Sequence, residues 1–114
     1  MFGNLITEVL NKSVRAILQY YVEPYGEIKT LSIDDSVKEI KATLLLKGEL
    51  QTLEVRIIGY NFTRVEDKGY MTFLKVSTSR EWINKLLETH PPKELTEKRV
   101  EIPRNAAIAM KLIF

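Results

Sequence analysis

The chain contains no cysteine, which removes disulfide bridges and thiolate chemistry together. It contains one histidine, His90, so no histidine cluster for zinc can be built and any hydrolase triad would have to use that residue. Its five glycines are scattered at Gly3, Gly26, Gly48, Gly59 and Gly69, which excludes a glycine-rich phosphate loop. No run approaches the roughly 18 apolar residues a membrane-spanning helix needs. The opening Met1-Phe2-Gly3-Asn4 lacks the basic region, apolar core and small-residue cleavage site of a secretory signal. An excess of one charge is missing too. Seventeen basic side chains stand against 15 acidic ones, a formal charge of +2, which makes no electrostatic case for nucleic acid or an anionic membrane. These absences predict a soluble, cytoplasmic chain.

What is present is ordinary globular material: 114 residues, 45% hydrophobic and 28% charged, the size and composition of a single α+β domain spanning residues 1–114. The charge is uneven along the chain. Residues 1–60 carry 7 basic and 8 acidic side chains, and residues 61–114 carry 10 and 7. The late basic residues Lys98, Arg99, Arg104 and Lys111 do not interleave with aromatics, so they read as a solvated face rather than a nucleic-acid surface.

Leu5, Ile6, Val9, Leu10, Val14, Ile17, Leu18 and Tyr21 share one side of a helical wheel. Asn4 is the expected cap, and Pro24 with Gly26 ends the helix near Val22. A strand over 27–34 follows, led by Ile28, Leu31 and Ile33. Alternation then sets Ile40, Ala42 and Leu44 opposite Ile57, Val55 and Leu53 around a two-residue loop at Gly48-Glu49. A second hairpin turns near 65–70. An even-length loop there pairs Asn61 with Leu74 and Gly59 with Val76, which puts Ile57 and Leu74 on the core face. Thr78 and Glu81 form a capping box for a short helix with a buried stripe of Trp82, Ile83, Leu86 and Leu87, closed by His90-Pro91-Pro92. Residues 93–98 read as a charged connector and 99–102 as a short strand. Residues 106–114 alternate as a strand does, although their alanines favour a helix. The predicted fold is an N-terminal helix, a four-stranded antiparallel meander, a short helix and one or two C-terminal strands.

Chemistry is sparse. His90 fits a helix C-cap. The acidic pairs Asp34-Asp35 and Glu66-Asp67 fall in turns and lack the ligand spacing of a calcium loop. The serines lack a nucleophile elbow, and nothing implies a cofactor or metal. Gly59, inside a strand, signals a close approach, for which Trp82 or a residue of the first helix is the expected occupant. One surface stands out. The register that buries Ile57 and Leu74 sends Ile58, Tyr60, Phe62, Met71 and Phe73 to the opposite face, with Phe62 beside Phe73. An apolar cluster there needs a cover: the C-terminal segment, a second copy in a homodimer, or an apolar small molecule.

A long helix against a curved antiparallel sheet resembles, in architecture alone, folds that enclose lipids. The expected function is a non-enzymatic module binding an apolar ligand or lipid, at its helix–sheet interface or at that second sheet face. Self-association through the same cluster is the alternative.

Overall fold

The computed structural model describes residues 2–103, with side chains from residue 10 onward. An N-terminal helix, α1 (Phe2–Val22), is followed by β1 (Gly26–Asp34), β2 (Glu39–Leu46), β3 (Leu53–Ile58), β4 (Asn61–Val65), β5 (Lys68–Thr72) and β6 (Lys75–Thr78). Helices α2 (Glu81–Thr89) and α3 (Lys93–Glu97) and the short strand β7 (Arg99–Glu101) complete it. The fold is α+β, as the pattern predicts. A four-stranded antiparallel sheet has the order β1-β2-β3-β6, and β4, β5 and β7 form a three-stranded sheet beside it. Residues 106–114, whose strand or helix character the sequence leaves open, lie outside the described residues.

Leu10, Val14 and Ile17 recur at helical spacing and are buried, while Lys12 and Arg15 face water. The helix starts at Phe2, so Asn4 falls in its first turn rather than at its cap. The opposing wall comes from the four-stranded sheet. Ile40, Ala42 and Leu44 face Ile57, Val55 and Leu53, the register set by alternation. A bulge in β1 between Ile28 and Thr30 lets Ile28, Leu31 and Ile33 share that face despite their uneven spacing, opposite Leu44, Ala42 and Ile40. The loop between β2 and β3 is wider than a two-residue turn. Its bend is closed by the Glu49 N–H donating to the Leu46 carbonyl at 3.0 Å, with Gly48 at φ +84°.

The second hairpin departs from the expected register in an instructive way. Its loop is even, as alternation requires, but it closes at Glu66-Asp67, pairing Val65 with Lys68 and Asn61 with Thr72. On the other side of the break, Ile57 pairs with Val76. The ribbon therefore keeps one frame throughout, two residues from the expected one, but it does not run on as continuous strand. At Gly59 and at Leu74, facing points in that frame, both strands break and each skips one step of side-chain alternation. The Leu74 N–H still donates to the Ile58 carbonyl at 2.9 Å across the break. Ile57 and Tyr60 thus reach the same core, as do Met71, Phe73 and Val76.

Four expectations are corrected in this part of the chain. Leu74 is 69% exposed rather than in the core. The neighbour of Gly59 is the Leu74 side chain, whose Cγ would lie 2.6 Å from an added Cβ, not Trp82 or the first helix. The expected capping box does not form, because Thr78 is held in β6 opposite Val55. Arg80 is the cap residue of α2, and Asn84 instead reaches back, accepting from the Thr78 N–H at 2.7 Å and donating to the Thr78 carbonyl at 3.0 Å. Nor is the α2 stripe buried. Ile83 and Leu87 are half-buried, whereas Trp82 and Leu86 turn outward at 63% and 50% exposure. His90 is the C-cap residue of α2, its N–H donating to the Leu86 carbonyl at 2.8 Å.

Gly59 has φ +72° and Gly48 φ +84°, a region that costs an L-residue about 1–2 kcal/mol. Only Gly59 adds a steric conflict, since nothing lies within 4 Å of a Cβ at Gly48. Urea unfolding should therefore show Gly48→Ala losing about 1 kcal/mol and Gly59→Ala clearly more. Equal losses would mean that the approach of Leu74 does not constrain the break.

Candidate functional site

The structure places the five residues of the expected apolar face unequally. Ile58 remains on the outer side of β3, half-buried, opposite Lys75. Tyr60, Met71 and Phe73 are buried in the same cluster as Leu10, Val14, Ile17 and Ile57, with Phe62 packed against it. The cluster therefore sits on the α1 side of the fold, not opposite it. Alternation misassigned these residues because it was continued through a break that resets it.

Tyr60 also anchors the turn between β1 and β2. Its hydroxyl donates to Asp35 at 2.6 Å, and Lys38 donates to the same carboxylate oxygen at 2.8 Å. The Gly59 and Tyr60 N–H groups both donate to the Lys38 carbonyl, at 2.8 and 3.2 Å. The Lys38 ammonium lies 5.5 Å from the Tyr60 ring centroid. Burial, and then the bond to Asp35, push the Tyr60 phenol far above its usual range. The hydrogen bond from Lys38, and then that from Tyr60, hold Asp35 below the ordinary carboxylate value. These groups fasten the fold and leave no nucleophile beside a base. Among the described residues no group of three or more His, Asp or Glu side chains could hold a metal ion.

A concavity lies elsewhere, at the C-terminal end of α1. It has a volume of about 850 Å³, and its lining includes Tyr20, Tyr21, Pro24, Tyr25, Pro92 and Val100. Each wall has a local cause. Pro24 cannot continue the helix, and the Tyr25 N–H folds back to the Val22 carbonyl at 2.8 Å. The Lys47 N–H, just past β2, donates to the Tyr25 carbonyl at 2.8 Å and ties this link to the sheet. From the far side, the Tyr21 hydroxyl donates to the Glu101 carbonyl at 2.7 Å, fixing its ring against β7. The Tyr20 and Tyr21 rings stand nearly perpendicular, 5.1 Å apart at 81°. Glu23, Glu94 and Lys47 supply the charge of the lining. Burial first, then the carboxylates of Glu101 and Glu94, raise the Tyr21 phenol above its ordinary value.

The helical pattern places Tyr21 on the apolar side and gives Tyr20 and Tyr25 no role. The available signal was local density: three of the chain's five tyrosines, with Pro24, fall within residues 20–25. A smaller groove of about 390 Å³ runs between β6 and the two short helices. Phe73 lines it together with Leu74, Leu87 and Leu95.

No known protein family, curated protein or solved structure matches this chain. Among the described residues no helix is long and apolar enough to cross a membrane.

The lowered Asp35 value fixes the sign of an acid effect. A folded-state value below the unfolded one of about 3.9 means that the contribution is complete above that pH. It is lost as pH falls through the folded value. Denaturant midpoints measured from pH 6 to pH 2 should decline below about pH 4, and Asp35→Asn should flatten that decline while lowering stability at pH 6. An unchanged acid slope in the variant would remove Asp35 from the account.

Proposed function

We propose that this chain is a non-enzymatic binding module that takes an apolar or amphipathic ligand at its helix–sheet interface, in the tyrosine-lined cleft. The observation that carries this is the cleft itself. Its volume of about 850 Å³ falls within the about 300–1,000 Å³ of small-molecule pockets, and its lining joins aromatic and proline surfaces to a few charged groups. The walls are tied to α1, β2 and β7 by hydrogen bonds, so the site is formed before a ligand arrives. A cytoplasmic setting belongs to the same proposal, and a cysteine-free chain is compatible with it.

Self-association is the second reading, through α2 rather than the hairpin. Trp82 and Leu86 are one turn apart on one face, both exposed. Native mass spectrometry of the purified chain separates the two readings. A monomer carrying one extractable small molecule, whose uptake weakens about fivefold or more in Tyr25→Ala, supports the cleft. A doubled mass that reverts in Trp82→Glu, with no bound molecule, supports association and overturns the cleft.

A further inference from the structure

We propose that the tyrosine cleft receives a quaternary ammonium group, the trimethylated cation of a choline-type headgroup. This rests on reading the cleft as the ligand site and names the charged end of what enters it. Aromatic faces carry the negative part of the ring quadrupole and attract cations, most effectively where several rings converge. Tyr20 and Tyr21 form a right-angled corner, and Tyr25 adds a third ring to the same lining. Tyr20 and Tyr25 are 61% and 69% exposed.

The chain's other two tyrosines are already occupied. Lys38 sits over Tyr60, and Arg99 sits 4.2 Å from the Tyr70 centroid. Among the described residues no cation of the chain lies over the three cleft rings, and Tyr20 and Tyr25 are exposed to an outside one. Glu23 and Glu94 share the lining and have no ion-pair partner among the described residues, which adds negative potential at the rings. Burial first, and then the carboxylates of Glu101 and Glu94, raise the Tyr21 phenol beside them.

The cation is specified by the chemistry of the walls. Glu23 and Glu94 would accept from a primary ammonium, but the ring faces offer its remaining N–H donors no comparable acceptor. A trimethylammonium has no donor to satisfy and presents methyl groups to the rings. Lys47, also on the lining, is a suitable partner for the phosphate that accompanies such a headgroup.

The test compares dodecylphosphocholine with dodecylphosphoethanolamine, which share chain and phosphate, by titration calorimetry on the full chain below their micelle concentrations. We expect the choline form to bind about tenfold more tightly. Tyr25→Ala should shrink that difference and Glu94→Gln should weaken both forms, neither variant shifting the melting temperature. Glycerophosphocholine separates the sources. If it perturbs the Tyr20 and Tyr25 ring signals with similar affinity, the ligand is a free headgroup; if the acyl chain is needed, it is a lipid. Equal affinities for the two detergents would overturn the quaternary ammonium assignment and leave the apolar cleft standing. If neither binds, both fall.

Discussion

Two strands that skip one step of alternation at the same level, at Gly59 and Leu74, set the shape of everything downstream of β3. Along an uninterrupted strand, side chains one residue apart face opposite ways, so Ile57 and Tyr60 would lie on opposite faces. The break places both in one cluster with α1. It needs a backbone that takes positive φ and tolerates the Leu74 side chain at its Cα, and Gly59 meets both conditions. With the skip, the hairpin's apolar side closes over the helix. Without it, three large side chains would face water.

The break is held from a distant part of the chain. Asp35 and Lys38 in the first turn grip Tyr60 and the two amides beside it, so the β1–β2 connection and the β3–β4 connection are one unit. This fixes a buried tyrosine whose hydroxyl is satisfied by a carboxylate at the surface, an arrangement that costs little because the charge stays hydrated. The three-stranded sheet then carries β7 back toward the end of α1, where Tyr21 bonds to it and the cleft opens.

The amphipathic helix, the β2–β3 register and the α+β class were legible because each depends on a pattern with one period running through it, whereas α3 lies in a stretch that reads as a connector. The bulge in β1 was implicit in the uneven spacing of Ile28, Leu31 and Ile33. What escaped was wherever the period resets. The face of Tyr60, Met71 and Phe73 turns on one glycine torsion and on the facing break at Leu74, which alternation alone cannot register. The α2 stripe misled for a related reason: a helix of nine residues resting on one edge strand buries only Ile83 and Leu87 partly, and leaves Trp82 and Leu86 outside. The cleft escaped because its walls come from α1, the link after it, Lys47, α3 and β7, which only the fold brings together.

Because Tyr60, Met71 and Phe73 are buried in the core, the three tyrosines at the end of α1 line the proposed site. The reset at Gly59 is thus the claim on which both the fold and the placement of the site depend. Carbon-13-edited NOE spectra of the full chain test it most directly. The account predicts cross-peaks linking the Tyr60 and Phe73 rings and the Met71 methyl to the cluster formed by Val14, Ile17 and Ile57. Solvent-exposed Tyr60 and Phe73 rings, with cross-peaks to Ile58 and none to α1, would contradict it.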